Sequence, residues 1–313
     1  MTDITAVGEI LIDLTQSGQN ELGIPVFAAN PGGAPANLAV AAARLGASAA
    51  FIGKVGTDSF GTFLRNTLIE NNVDVSGMVT DPENRTTLAV VALDKFGERT
   101  FSFYRDPSAD VNLRAEEISG EQLRNTRFLH FGSVSLTTDP ARTATLHAAR
   151  TAKSYGAVIS YDPNYRASLW SDEATAVERM LEPLSMVDVL KVSDEELPLL
   201  TGTTDLEAGS AILADKGIRT MLVTLGANGA FYRFGGKTGH VPGVKVKVGD
   251  TNGAGDTFFG ATLAQLAKYH RLEDVSVGDL EKILAVSNKA AGITTSRHGA
   301  IPAMPTYVEV FGD

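Results

Sequence analysis

Short apolar, β-branched runs alternate along this chain with longer segments whose apolar residues recur at helical spacing. The runs at 5–12, 49–55, 128–131, 157–161, 187–192 and 220–225 lack a polar partner at every second position, so they predict strands buried on both faces. Between the first two, Leu38, Ala41, Ala42 and Leu45 fall on one face of a helix predicted over 35–45, and Gly46 can end it. A second helix is predicted over 140–155, stopped at Gly156. Strands alternating with helices predict an α/β fold: a mostly parallel central sheet covered by helices on both sides. Two stretches break the alternation. Residues 84–105 read as a hairpin with its turn at 94–97, and 23–30 as a short extended piece just before a Gly-Gly pair. Together they predict a small sheet beside the main one. No repeat, low-complexity stretch or Pro/Ser-rich linker divides the chain, so 1–313 is expected to be one domain with lid segments of about 14–31 and 84–107 inserted in it.

Composition narrows the class without naming a chemistry. The 313 residues are 43% hydrophobic and 20% charged, which suits a soluble globular protein with one large core. A formal charge of −10, with no compensating basic run, argues against a nucleic-acid surface. There is no cysteine, and the five histidines show no metal-ligand spacing, so zinc and disulfide frameworks are disfavoured. No basic-then-apolar leader opens the chain and no uncharged apolar run is long enough to span a bilayer; a cytoplasmic enzyme is the expectation.

The most informative chemistry lies in Asp250-Thr-Asn-Gly-Ala-Gly-Asp256, followed at once by an apolar helical run. The first amides of a helix lack intrahelical partners and its dipole favours negative charge, so the turn at Gly253, Ala254 and Gly255 can hold a phosphate. Asp256 stands where it can take a proton from a hydroxyl brought to the same place. The structural alternative is that Asp256 only caps the helix; set beside Asp13, Gly32, Gly33, Asn37 and Arg166 it reads as cap and base at once. Asp13, at the end of the first predicted strand, can accept two hydroxyl hydrogen bonds, and Asn37 offers both a donor and an acceptor. Gly32 and Gly33 let backbone approach a polyol closely. Arg166, in a loop after the 157–161 run, can reach phosphate oxygens; its alternative is a pair with Asp162 or a surface carboxylate. Gly226 and Gly229 bracket a turn after Thr224, suited to a nucleotide but equally common as a plain connection.

With every defined position of D-T-x-G-A-G-D present, and with Gly32-Gly33 followed by Asn37 on a small-residue helix, the chain resembles the ribokinase-like (PfkB) carbohydrate kinases. That resemblance implies a three-layer fold with a β lid over the sugar, sometimes also used for homodimer contact. It implies Asp256 as base, the amides of 253–255 as anion hole, and Asp13, Gly32, Gly33 and Asn37 on the sugar. Phe101, Phe103 and Arg105 would come from the lid. It places ATP against Thr224, Gly226, Gly229, Gly255 and Asn288. Magnesium would be ordered through water by Glu196 of an N-x-x-E element, whose first position is here Ser193 instead of asparagine. Potassium is the further cation implied, near Asp250 and the 296–299 loop. Residues 97–110, 129–136 and 161–170 are similar to fructokinases in particular, which implies transfer from ATP to D-fructose. The runner-up is a 2-keto-3-deoxygluconate kinase, whose acidic substrate Asp110 would repel; a sugar-binding regulator without catalysis is the reading from another class. Other phosphate signatures fail: Phe231 stands where a Walker A loop ending at Lys237-Thr238 needs glycine, and no Gly-x-Gly-x-x-Gly follows the first strand.

Overall fold

The computed structural model describes residues 1–93 and 99–312. Among them, thirteen strands form two sheets. In the larger sheet, β1 (Thr2–Val7) has β4 (Ala49–Gly56) and then β5 (Val73–Asp81) on one side. On its other side follow β8 (Thr126–Gly132), β9 (Val158–Asp162), β10 (Val189–Ser193) and β11 (Thr220–Thr224), all parallel. An antiparallel edge of β12 (Ala230–Phe234) and β13 (Lys237–Val241) completes it. The period of two in a strand sends successive side chains to opposite faces. Thus Leu129 and Phe131 pack with the helix Ala141–Ser154, whereas Phe128 packs with Leu38, Phe258 and Leu263 on the other face.

The strand order reverses at β1, whose neighbours β4 and β8 connect in opposite directions along the sheet. Such a reversal opens a crevice beyond the carboxyl ends of the strands. The predicted strand over 5–12 is corrected at this point: β1 stops at Val7, and β2 (Leu11–Gln19) belongs to the second sheet. Pattern could not reveal the break, because Ile10, Leu11 and Ile12 stay buried as the chain passes from one sheet to the other.

The second sheet has the order β3 (Pro25–Gly32), β2, β6 (Leu88–Leu93), β7 (Arg99–Tyr104). It contains the two stretches that broke the α/β alternation, with β2 pairing antiparallel to β3 and parallel to β6. The turn expected at 94–97 lies outside the described residues, as does the side chain of Phe101.

Two helices carry the signature segments, Ala34–Arg44 and Ala254–Leu266, and they touch through a glycine. A Cβ on Gly260 would stand 2.7 Å from the Leu38 carbonyl oxygen and 2.9 Å from Ala41 Cβ. The missing side chain lets the helices approach closely enough for residues on one to reach residues on the other. Gly260→Ala is expected to cost about 1–3 kcal/mol by overpacking. Urea unfolding with an unchanged midpoint would show that the contact yields without cost.

Candidate active site

The helix Ala254–Leu266 begins after Gly253, which caps it in the left-handed conformation (φ 73°). A side chain at Gly253 would also crowd Ala300, at 2.9 Å from its Cβ, so the turn needs glycine twice over. The capping half of the expectation for Asp256 is thereby corrected: Gly253 is the cap, and Asp256 lies in the first turn with its carboxylate bonded to side chains. Asn37 Nδ2 donates to one oxygen at 2.8 Å and Asn164 Nδ2 to the other at 3.1 Å. Burial raises the Asp256 pKa, against the two amides and the charges of Lys191 and Arg166, so the proton affinity rises toward what a base working near neutrality needs.

Two cavities share this carboxylate in their walls and a third adjoins the second. The first, about 260 Å³, is lined by Asp13, Gly33, Asn37, Phe103, Arg166, Asn252 and Asp256, and also by Glu9, Val134 and Asn164. The second, about 280 Å³, shares Asn164, Arg166, Asn252 and Asp256 with the first and adds Lys191, Ser193, Glu196, Asp250, Gly253 and Gly255. The third, about 630 Å³, adjoins the second at Thr251 and Gly255 and is lined by Thr224, Gly226, Gly229, Phe258, Asn288 and Gly292, with more apolar than polar surface. Sequence places these residues far apart; the fold sets them in one row.

In the first cavity, Asp13 sits on β2 beside Gly32 of β3, where any Cβ would lie 2.3 Å from the Asp13 carboxylate. Gly32 thus makes room for that carboxylate without lining the cavity itself. Burial pushes the Asp13 carboxyl up to about 6, offset in part by Asn252 and Arg166. Arg105 is held outside both cavities: Nε donates to Asp110 at 2.8 Å, while the other nitrogens reach Thr137 Oγ1 and the Val134 carbonyl. Asp110 also accepts from Thr87 and Ser108, so it is fully engaged.

The second cavity holds groups that sequence reasoning passed over. Asp162 ends β9 and Lys191 lies on β10; their carboxylate and ammonium meet at 2.9 Å in a fully enclosed position. Burial pushes Asp162 up to about 7 despite Lys191, and lowers Lys191 less than Asp162, Glu196 and Asp256 raise it. The same ammonium lies 3.1 Å from where a Gly255 Cβ would stand, directly beneath the anion turn. Arg166 is exposed and does not pair with Asp162, whose partner is Lys191. Both Glu196 oxygens accept backbone amides, from Tyr165 at 2.7 Å and Ser193 at 2.8 Å, and Ser193 Oγ accepts from the Glu196 amide at 3.1 Å. Glu196 therefore fastens the loops after β9 and β10 to each other. A lysine two residues before Ser193 in an acidic chain was the available signal; it was missed because a strand interior is normally apolar.

In the third cavity Asn288 Nδ2 donates to the carbonyls of Val241 and Pro242, holding the wall in place. Asp250 accepts from the amides of Asn252 and Gly299, and the Ser296 and Arg297 carbonyl oxygens lie within about 3.2 Å of a Cβ built at Gly249. The Ser296 and Arg297 carbonyls thus lie beside the 249–250 segment.

The description "pfkB family carbohydrate kinase" matches residues 1–307 of this chain. Probable fructokinase-4 of Arabidopsis thaliana is 43% identical over 311 residues, covering 98% of this chain and 95% of the plant protein. Among solved structures, the ATP-bound fructokinase of Xylella fastidiosa superposes with a TM-score of 0.91 at 35% identity, covering 99% of this chain and 97% of that one. A double mutant of the Vibrio cholerae O395 fructokinase, bound to fructose, ADP and potassium ion, gives a TM-score of 0.88 at 34% identity, covering 98% and 96%. The chain belongs to the pfkB family of carbohydrate kinases. The ribokinase-like fold expected from its signatures is the fold observed.

Proposed function

We propose that this protein is an ATP-dependent fructokinase, transferring the γ-phosphoryl group of ATP to the terminal hydroxyl of D-fructose to give fructose 6-phosphate. The observation that carries the reading is the row of three cavities with Asp256 in the wall shared by the first two. Fructose occupies the first, with Asp13 and Asn37 on its hydroxyls; the nucleoside occupies the apolar third, and phosphoryl transfer takes place in the second. Asp256, held by Asn37 and Asn164, orients the attacking hydroxyl and takes its proton. The amides of 253–255, the exposed Arg166 and the buried Lys191 offset charge on the phosphates. Magnesium, bound with the nucleotide, would supply further neutralisation. Among the described residues no cluster of three or more acidic or histidine side chains could hold it alone. That fits a hydrated ion shared between phosphates and the single carboxylate of Glu196, whose oxygens each keep a free lone pair. Potassium is proposed beside the Ser296 and Arg297 carbonyls near Asp250.

The small sheet is proposed as a lid over the sugar cavity, which Phe103 of β7 already lines. The exposed Leu22, Ile24, Val26 and Phe27 at its edge suit a homodimer contact through that lid. No helix among the described residues is long and apolar enough to cross a membrane, and a cytoplasmic location belongs to the same reading. Against a kinase of 2-keto-3-deoxygluconate, Arg105 is spent on Asp110, and Arg166, the cation lining the first cavity, acts on Asp13 and Asp256.

Coupled ADP release across fructose, ribose, 2-keto-3-deoxygluconate and adenosine tests the reading; fructose is expected to give the highest kcat/KM, and no release with any acceptor would sink it. The same assay has a pH signature. Asp13 and Asp256 must be ionised to work, and both carboxyls are raised, Asp13 to about 6, so the rate is expected to fall as pH drops through about 6. A rate flat down to pH 5 would remove both groups from the mechanism.

A further inference from the structure

The sugar cavity contains a carboxylate that no step above uses. Glu9 lies in the short crossing between β1 and β2 and is 3% exposed. Its Oε1 accepts the Ala34 amide at 3.1 Å, at the start of the helix whose cap, Gly33, offers no side chain. Its Oε2 is enclosed and has no hydrogen-bond partner, and Glu9 lines the same cavity as Asp13 and Asp256. Asn37 presents a second such atom there: Nδ2 is bound to Asp256, while Oδ1 is buried and unpartnered. A buried acceptor left unpaired costs free energy that a ligand carrying donors can recover. Burial pushes the Glu9 carboxyl up to about 7; once it is ionised both orphans are acceptors, so the missing partner carries hydrogens. Hydroxyl groups supply them; a carboxylate would add a third acceptor and a like charge.

Building on the fructokinase reading, we infer that Glu9 is a specificity-determining residue. Its Oε2 accepts a hydrogen bond from a hydroxyl of the bound sugar and, with Arg105 neutralised by Asp110, it selects neutral polyols over sugar acids. The charges around it are matched elsewhere: Arg105, which acts on Glu9, is bound to Asp110, and Arg166, the cation that lines the cavity, acts on Asp13 and Asp256. The carboxylate thus has two tasks at different oxygens. One holds the Gly33 turn and the other reads the ligand.

The test uses the full-length enzyme and Glu9→Gln, in which the amide oxygen can keep the Ala34 bond while a donor replaces the orphan acceptor. KM for fructose is expected to rise at least about tenfold with kcat changed much less, the loss expected when a site's polar group faces the wrong partner. Discrimination against 2-keto-3-deoxygluconate should shrink. A set of monodeoxyfructoses separates contact from mere support: one of them should lose affinity with the parent enzyme and lose little with the variant. If Glu9→Gln gives no folded protein by circular dichroism, Glu9→Asp draws the same charge back by one methylene and should raise KM likewise. A folded variant whose KM lies within twofold of the parent, or whose deoxysugar losses match the parent's, overturns the inference while leaving the fructokinase reading intact. A parent enzyme that phosphorylates only the sugar acid, or no sugar, overturns both.

Discussion

Asp256→Asn is expected to lower kcat for fructose phosphorylation by about 10²- to 10⁴-fold, the range general-base removal gives, with the fold retained. The substitution keeps shape and removes basicity. Helix capping is untouched, since Gly253 and not Asp256 is the cap. One local cost remains. The carboxylate accepts from two amide NH₂ groups, of Asn37 and Asn164, and an asparagine can accept from only one of them. A loss of roughly 1 kcal/mol from one weakened hydrogen bond is the expected size, partly offset because a buried charge disappears with it. Circular dichroism and thermal unfolding check the fold, and a coupled assay with saturating ATP checks the rate. Turnover within tenfold of the parent would show that another group takes the proton.

The largest effect on stability is expected from Lys191→Met. The ammonium is buried against Asp162 at 2.9 Å, and Glu196 and Asp256 add negative charge around it. Removing one partner of such a pair leaves an uncompensated buried charge and costs about 3–5 kcal/mol. The sign of its pH dependence follows from Asp162. Its carboxyl is already raised to about 7 by burial with the lysine present, and loss of Lys191 raises it further. A group with a raised folded pKa binds its proton on folding, so the penalty is small in acid and grows as pH rises through that pKa. Lys191→Met should therefore approach parental stability near pH 5 and fall well below it at pH 8. Adding Asp162→Asn should recover much of the loss at pH 8, because no buried charge is then left alone. Activity should stay low in both variants, since the cation beneath the anion turn is gone. Unfolding free energies from urea titration that differ by less than about 1 kcal/mol at pH 8 would mean that water reaches the pair and screens it.

Both experiments address residues that sequence treats unequally. Asp256 stands out from the sequence because its surroundings are local: two glycines, a helical run and a carboxylate within seven residues. Lys191 does not, because its meaning depends on Asp162, on a different strand, and on Gly255, on a helix near the other end of the chain. Asn164 is a similar case. As a loop residue after β9 it signals only a turn, yet it provides one of the two hydrogen bonds on the Asp256 carboxylate. Glu9 was hidden by the apolar run around it, which reads as uninterrupted strand although the backbone changes sheets there.

What the sequence determined by itself was the set of short-range consequences. Period and punctuation identified the strand and helix alternation, and the Gly-rich turn marked a helix start suited to an anion. The Gly-Gly pair and Asn37 marked a second, small-residue helix. These follow from steric rules acting over a few residues, so one stretch of chain suffices to read them. Only the tertiary structure decided which carboxylates are buried and whom they face. Gly260 lets two helices close until Asn37 reaches Asp256, and parallel strands set Asp162 beside Lys191 under the turn. Proton affinity and charge compensation depend on distance and burial in three dimensions, and neither is a property of any local stretch.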